Sequence, residues 1–319
     1  MSVLVSALVG ILLAYSAPVF GVTVERDVVY ATAPGYWSSA PVDQKGTVAR
    51  LMMHPAILRP LELKMDIYMP EGDLSEGRPL LVMLHGGAFF IGNKEEKGQI
   101  GWCEYFASLG YVAVSVDYRL GFQVSREDLT AAEDRAFEDA AAALQYLLER
   151  DDLRIDPDRI FVAGTSAGAM LALRLAFRPE GPRIRAVANC WGGLHDLGIM
   201  EQARTAILSF QSTSDPVMPY HSGYPFQKNG FKLPTQWISD VIFGTAAVHA
   251  RAVELGLRAQ HYAYPEPQHR LHLDSNGQLT PRYYEIRDKM AAFFGEYAQG
   301  LAKSECPPVV KLRGPFVLR

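Results

Sequence analysis

Cysteine is scarce in this chain of 319 residues, and no cluster of lysine and arginine stands out. The three cysteines, Cys103, Cys190 and Cys306, are odd in number and too few for a disulfide framework. Cys190 lies in an apolar run that favours a small core side chain, whereas a bond between Cys103 and Cys306 stays open. No Cys/His spacing resembles a zinc site. A net charge of -4 without a basic cluster disfavours a nucleic-acid partner.

Charge is also missing from the first 21 residues. An apolar run of this length is typical of a signal peptide, a membrane anchor or a buried helix. Small residues favour cleavage after Ser16 or Gly21, although no basic residue precedes the run. We expect residues 1–21 to be a signal peptide, 22–303 one catalytic domain and 304–319 a surface tail. The mature protein would then be secreted or periplasmic, without stable membrane insertion. A buried N-terminal helix or a mis-assigned start codon is the alternative.

Hydrophobic periodicity predicts an α/β fold for the rest of the chain. Residues 22–30 and 61–68 alternate apolar with polar side chains, as half-buried antiparallel strands do. Later apolar runs are short and continuous, which is typical of strands buried on both faces of a parallel sheet. Gly110 and the pair Asp156-Pro157 are interpreted as breaks ahead of the next strands. Alternating strands and helices favour a doubly wound, mostly parallel sheet. The predicted parallel strands are 80–84, 111–116, 160–163, 184–189, 206–210 and 260–264, and the predicted helices are 104–109, 131–150, 167–177, 239–255 and 281–298.

A serine flanked by glycines, Gly164-Thr165-Ser166-Ala167-Gly168, lies between a predicted strand and a predicted helix. A nucleophile at such a sharp turn is strained, and only neighbours without side chains clear the adjoining strand and helix. The start of the helix favours negative charge beside the hydroxyl. The pattern predicts Ser166 as a nucleophile.

A second glycine motif, His-Gly-Gly-Ala-Phe at residues 85–89, directly follows the predicted strand 80–84. Attack on a carbonyl group creates an oxyanion, and backbone N–H groups must already point at it. Paired glycines allow this close approach, although an ordinary glycine turn is the simpler interpretation. We expect the amides of Gly86, Gly87 and Ala167 to form an oxyanion hole.

Together the two motifs resemble the α/β-hydrolase esterases with an HGG-type oxyanion loop. That group includes hormone-sensitive-lipase-like carboxylesterases and bacterial acetylxylan and feruloyl esterases. The resemblance runs from about Met65 to Phe294, with support from residues 116–120 and 156–160. It implies the α/β-hydrolase fold. The gap of 49 residues between Ser166 and Asp215 leaves no room for a large cap domain, so a small flap is expected instead. The sequence departs from the family at Ala88, where glycine is more familiar.

A serine nucleophile needs a histidine base held by an acid, and in this fold the order along the chain is Ser, Asp, His. Asp215 follows the predicted strand 206–210 in a segment that resembles the family's G-x-x-D-P-x-V-P-Y, with Ser212 in place of glycine. The resemblance implies that Asp215 is the acid. A turn-forming aspartate before proline is the alternative.

Two histidines, His269 and His272, follow the predicted strand 260–264. The register of the family's histidine loop selects His269 as the base, although Gln268 replaces the glycine that the family places before it. The remaining candidates, His54, His221 and His261, fit the pattern less well and are expected to be structural or surface residues.

The predicted activity is hydrolysis of short-chain acyl esters by a serine esterase, with no cofactor or metal. A small-molecule or carbohydrate ester would be the substrate, and acetyl or feruloyl groups are the acyl parts that the resemblance suggests. A peptidase or amidase on the same fold is the first alternative, and a catalytically inactive binding protein is the second. Phe89, Phe90 and Trp191 are expected in the pocket wall, and the aromatic segment 221–240 is expected to form a flap or to pack against the last helix.

Overall fold

The computed structural model describes residues 20–39, 58–123, 125–227 and 235–298. The expected signal peptide falls almost wholly outside these residues, as do His54, Cys306 and the expected tail at 304–319. Export and leader cleavage therefore stay predictions, and a bond between Cys103 and Cys306 stays open. Among the described helices, none is both long and apolar enough to cross a membrane.

An eight-stranded sheet forms the centre of the protein. Its strands are β1 (Val22–Gly35), β2 (Arg59–Pro70), β3 (Arg78–Leu84), β4 (Val112–Val116), β5 (Ile155–Thr165), β6 (Ile184–Cys190), β7 (Ala206–Ser212) and β10 (Ala259–Tyr264), in the order β1-β2-β4-β3-β5-β6-β7-β10. β1 and β2 pair antiparallel, as do β2 and β4, and all other neighbours pair in parallel. The sheet confirms the predicted α/β class, including the antiparallel N-terminal strands.

Five α-helices accompany these strands in the described part of the chain, and the last of them follows β10. They are α1 (Lys97–Ser108), α2 (Arg126–Leu148), α3 (Ala167–Phe177), α4 (Thr245–Glu254) and α5 (Pro281–Ala298). Alternate side chains of β3 enter two different cores because successive residues of a strand point to opposite faces. Leu80, Val82 and Leu84 join the core that contains residues of α2 and α3. Leu81 and Met83 join the other core, with residues of α1 and α5. Burial on both faces explains the continuous apolar runs.

Three predicted helices begin at the wrong residue. α2 starts at Arg126 rather than at residue 131. α1 starts at Lys97 rather than at residue 104, and the Glu96 side chain caps it. Glycines at positions 98 and 101 weaken its helical pattern in the sequence. α4 starts at Thr245 rather than at 239. Part of the missing stretch instead forms β9 (Ile242–Phe243), which pairs with β8 (Ser222–Gly223).

The pair Asp156-Pro157 lies inside β5 and does not separate a helix from a strand. Pairing between β3 and β5 jumps from Arg78–Ile155 to Leu80–Ile160, so the proline falls in a local irregularity of the ladder. Proline has no N–H to donate, and irregularities of this kind are where a strand tolerates it. The prediction that this pair separates a helix from the next strand was therefore wrong.

Candidate active site

The glycine-flanked serine forms a sharp turn between β5 and α3. Ser166 has φ 52° and ψ −119°, a conformation that side-chain-bearing residues rarely adopt. Its backbone N–H donates to the carbonyl oxygen of Cys190 at 2.9 Å, which anchors the turn to the neighbouring strand. A Cβ atom on Gly164 would lie 2.7 Å from the amide nitrogen of Ala169, and one on Gly168 would lie 2.5 Å from the carbonyl carbon of Leu84. Both glycines are therefore required by close backbone approach.

Three of the predicted residues meet at this turn in one hydrogen-bonded chain. His269 Nε2 lies 2.8 Å from Ser166 Oγ. His269 Nδ1 lies 3.0 and 2.9 Å from the two carboxylate oxygens of Asp215. Because an ionised carboxylate only accepts, Nδ1 holds the proton and Nε2 offers its lone pair to the serine hydroxyl. The geometry is that of a nucleophile, a base and an orienting acid.

The carboxylate of Asp215 is 1% exposed, yet it is well supplied with donors. The backbone amides of Val217 and Met218 donate to Oδ1 at 2.8 and 3.0 Å. Gln211 Nε2 donates to Oδ2 at 3.2 Å, while its Oε1 accepts from the Thr245 hydroxyl at 2.8 Å. These bonds offset the loss of hydration and fix the carboxylate toward His269. Sequence reasoning missed Gln211, and its amide inside the apolar strand β7 was the available signal.

The predicted oxyanion loop lies against the serine turn. A Cβ atom on Gly86 would be 3.3 Å from Ser166 Cβ and 3.0 Å from the carbonyl oxygen of Thr165. Gly87 has φ 124°, and its carbonyl oxygen accepts from the amides of Phe90 and Ile91, both at 3.0 Å. The loop thus closes on itself next to Ser166. Ala167, the third predicted donor, is the first residue of α3.

Buried contacts between Tyr118 and His85 hold the start of this loop in place. The Tyr118 hydroxyl donates to the carbonyl oxygen of His85 at 2.6 Å, and the two rings stack with centroids 4.2 Å apart. Burial lowers the pKa of His85 to about 4, so its imidazole is neutral near pH 7. His85 Nδ1–H donates to the carbonyl oxygen of Gly86 at 2.8 Å. Burial also raises the pKa of the neighbouring Asp117 to about 7.

All three residues predicted in the pocket wall are buried. Trp191 is 0% exposed and lies in the core on the α1 side of the sheet, so the prediction that it lines the pocket is wrong. Phe89 and Phe90 are also buried, at 3% and 8% exposure, and Phe89 belongs to the opposite core. Residues that follow parallel strands often lie at the edge of the sheet where the site forms. The backbone after β6 instead turns at Trp191, with φ 50°, and the Trp191 ring lies in the interior.

A cavity of about 230 Å³ lies beside α3. Met170 forms part of its wall, and the Met170 amide donates to the carbonyl oxygen of Ser166 at 3.1 Å. Ile238 and Ser239, from the described end of the expected flap, border the same cavity. Trp237 is 73% exposed, so its ring does not pack into the last helix. Residues 238–240 therefore border a cavity beside α3, and the flap stays a prediction.

The remaining histidines lie away from the serine hydroxyl. His261 Nε2 pairs with the Thr245 hydroxyl at 3.0 Å, and burial lowers the pKa of His261 to about 3. His221 is exposed. His272 is buried and pairs with Glu96 instead of with Ser166 or Asp215. Within residues 20–39, 58–123, 125–227 and 235–298, no group of three or more His, Cys, Asp or Glu side chains could hold a metal ion.

Comparisons with known proteins agree with this architecture. The family model described as BD-FAE matches residues 65–190, which contain the oxyanion loop and the serine turn. The solved structure of Thermogutta terrifontis esterase 2 phosphorylated by paraoxon has a TM-score of 0.56 and 19% identity, and the match covers 86% of this chain and 94% of that one. At this identity the likeness shows the fold.

Curated relatives match shorter segments. Gut esterase 1 of Caenorhabditis briggsae is 31% identical over 120 residues, which is 37% of this chain and 21% of that protein. The non-reducing polyketide synthase prhL of Penicillium brasilianum is 29% identical over 173 residues, which is 52% of this chain and 6% of that protein. This chain thus spans a small part of the length of these relatives. It has the α/β-hydrolase fold and is similar, over residues 65–190, to the BD-FAE family of esterases.

Proposed function

We propose that this protein is a serine carboxylic-ester hydrolase that works through an acyl-enzyme on short-chain acyl esters. The observation that carries the proposal is the unbroken chain from Ser166 Oγ through the His269 imidazole to the Asp215 carboxylate, with every link between 2.8 and 3.0 Å. A base must lie within about 3.2 Å of the hydroxyl that it deprotonates, and His269 does.

In the first half-reaction, Ser166 Oγ attacks the ester carbonyl carbon while its proton moves to His269 Nε2. The carbonyl π electrons move to oxygen, and the amides of Gly86, Gly87 and Ala167 stabilise this oxyanion. The intermediate then collapses, the bond to the leaving alcohol breaks, and His269 protonates the departing oxygen. Asp215 holds the imidazole in orientation and stabilises its positive charge throughout.

In the second half-reaction, water replaces the alcohol. His269 Nε2 takes a proton from the water, whose oxygen attacks the acyl carbon of the acyl-serine. Collapse of the second tetrahedral intermediate releases the carboxylic acid and returns the proton to Ser166. The triad and the backbone amides supply all the groups that these two steps use.

Two rival functions use the same fold. A peptidase or amidase would need the same three residues, so only turnover of amide substrates separates it from an esterase. A catalytically inactive binding protein would have no use for a hydrogen-bonded serine, histidine and aspartate beside a glycine-rich loop. The complete chain of contacts favours an enzyme.

Labelling and substrate panels test the proposal. Thermogutta terrifontis esterase 2 is phosphorylated by paraoxon, and we expect paraoxon to label Ser166 of this protein. Aryl esters of increasing acyl chain length, acetylated xylan, methyl ferulate and a matched anilide define the substrate. We propose acetyl or feruloyl esters of carbohydrates as natural substrates. Rapid turnover of the anilide together with slow ester hydrolysis would favour the amidase.

The decisive variant is Ser166→Ala. Loss of the nucleophile typically lowers turnover by about 10⁶-fold in triad enzymes, and we expect the same here with an unchanged unfolding temperature. Ser75→Ala, at an exposed serine bonded to Asp73, is the matched control and should keep full activity. Substantial turnover or paraoxon labelling in pure Ser166→Ala protein would contradict the proposal.

A further inference from the structure

His272 is buried between two tryptophans although it does not touch the serine. It is 3% exposed. Its ring centroid lies 5.5 Å from that of Trp102 and 5.1 Å from that of Trp191, with interplanar angles of 27° and 24°. Trp102 stacks in turn on Tyr283 at 5.4 Å. The stacked rings restrict the imidazole from both sides.

A carboxylate fixes the edge of the same ring. Glu96 Oε2 lies 3.4 Å from His272 Nε2. The Glu96 carboxylate also accepts from the amides of Gly98 and Gln99, at 3.1 and 3.2 Å, at the start of α1. Burial alone would raise the pKa of Glu96, but His272 and these two amides lower it overall, which favours the ionised form. We call Glu96, Trp102, Trp191 and His272 the histidine clamp.

Helix α1 is shaped to receive this ring. A Cβ atom on Gly98 would lie 2.6 Å from His272 Cδ2, inside any normal contact distance. Glycine is disfavoured inside helices because it loses more backbone entropy than other residues. Its presence here is explained by the space that the imidazole needs.

The histidine clamp contains buried polar atoms that form no hydrogen bond within the described part of the chain, which is unusual in a core. His272 Nδ1, Trp102 Nε1 and Trp191 Nε1 are buried and have no hydrogen-bond partner among the described residues. Burying such groups is unfavourable, and leucine or phenylalanine would fill the space without that cost. Packing alone does not explain the choice of residues.

Three segments of the candidate site converge on His272. Trp191 directly follows Cys190, whose carbonyl oxygen holds the Ser166 amide at 2.9 Å. Glu96 lies on the segment that continues from the oxyanion glycines into α1. His272 itself is three residues beyond His269, and Thr280 holds this loop through bonds to the carbonyl oxygens of Leu271 (2.6 Å) and His272 (3.1 Å).

We propose that His272 is a positioning residue that holds the loop of His269 in register with the nucleophile and the oxyanion loop. It acts through its contacts with Glu96 and the two tryptophans, and it exchanges no proton with the substrate. The inference rests on the proposed esterase function. A displacement of about 1 Å in a reacting group can lower turnover by about 10²-fold, so a slack loop should slow the chemical step and leave substrate binding nearly unchanged.

The test compares turnover per active site in variants of the clamp. Paraoxon titration counts the competent sites, and hydrolysis of a short-chain aryl ester then gives kcat and KM. We expect His272→Ala to lower kcat per site by about 10- to 100-fold with little change in KM. His272→Gln keeps an N–H donor for Glu96 and should recover part of the loss. Glu96→Gln keeps an oxygen for the helix cap and should lower kcat in the same direction.

Val114→Ala, a core variant in β4, is the matched control for lost stability. It should reduce the unfolding temperature without changing kcat per site. If His272→Ala and His272→Gln show fewer competent sites but a normal kcat per site, His272 is only structural and the proposal is wrong.

Hydrogen exchange provides a readout that needs no enzymatic activity. Amides in residues 266–274 should exchange at least about 10-fold faster in His272→Gln than in Val114→Ala, because the loop opens locally at lower free energy. Equal rates in the two variants would overturn the proposal. Failure of the esterase function itself looks different: the wild type would then neither hydrolyse esters nor be labelled by paraoxon, while the exchange comparison would still report on the clamp.

Discussion

Gly168→Ala should separate Ser166 from the glycine loop at residues 85–89, the proposed oxyanion loop. Gly168 is the second residue of α3, and its backbone lies directly against the end of β3. A Cβ atom there would be 2.5 Å from the carbonyl carbon of Leu84 and would also collide with the carbonyl oxygens of Leu84 and His85. The atoms in the way belong to the backbone, so a side-chain rotation cannot relieve the overlap.

The size of the effect follows from this overlap. Ordinary contact begins near 3.4 Å, so α3 and the end of β3 must separate by at least about 0.9 Å, because the two carbonyl oxygens lie closer still. Overpacking of this kind typically costs about 1–3 kcal/mol, and alanine regains at most about 1 kcal/mol in helix propensity. Ser166 lies on one side of the overlap and Gly86 on the other. We therefore expect kcat to fall by about 10²-fold, as it does when reacting groups shift by about 1 Å.

Urea unfolding and aryl-ester kinetics on the pure variant measure the two effects. Gly295→Ala is the matched control, because this glycine is also helical and nothing lies within 4 Å of its added Cβ. The control should gain up to about 1 kcal/mol of stability with unchanged kcat. If Gly168→Ala behaves like Gly295→Ala, close contact between α3 and β3 does not hold the site together.

Three further predictions concern charged groups of the site and of the fold, and the last has Glu138→Gln as its control. Asp215→Asn should lower kcat by about 10⁴-fold, because asparagine favours the wrong histidine tautomer; steady-state kinetics with an unchanged unfolding temperature checks this. Burial raises the pKa of Asp117 to about 7, whereas this carboxyl group loses its proton near pH 4 in the unfolded chain. Binding of this proton stabilises the folded protein at low pH, and that stabilisation is lost as the pH rises through 7. Asp117→Asn should therefore lose less stability than the wild type between pH 5 and pH 8 in urea titrations. Asp139→Asn should cost about 3–5 kcal/mol because it leaves the Arg119 guanidinium buried without its main partner. Glu138→Gln, which removes only the exposed partner at 3.0 Å, should cost less than about 1 kcal/mol in the same assay.

The central sheet and the serine turn were readable from sequence because burial and backbone geometry restrict residue types there. Strands buried on both faces leave continuous apolar runs, and Ser166 needs glycines around it for steric reasons. The order of nucleophile, acid and base then narrowed the candidates to Asp215 and to two histidines. Each of these features leaves a local signature.

Contacts between distant segments leave no such signature. His272 pairs with Glu96, which lies 176 residues earlier in the chain. No local sequence pattern around either residue predicts this contact. Trp191 follows a strand, as pocket residues do, but the turn at its own backbone buries the ring. The start of α1 was missed because Gly98 weakens the helical pattern, and the distant ring of His272 leaves no space for a Cβ atom there. At Trp191 and at the start of α1, tertiary packing decided the structure against the local sequence preference.

The backbone of Ser166 also has a consequence for laboratory evolution. A residue with a side chain at φ 52° and ψ −119° stores about 1–3 kcal/mol of strain, and glycine would release it. We therefore expect Ser166→Gly to raise the unfolding temperature while removing the proposed nucleophile. A library selected only for survival at high temperature would accumulate glycine at position 166, and turnover would have to be selected in every round to keep the serine.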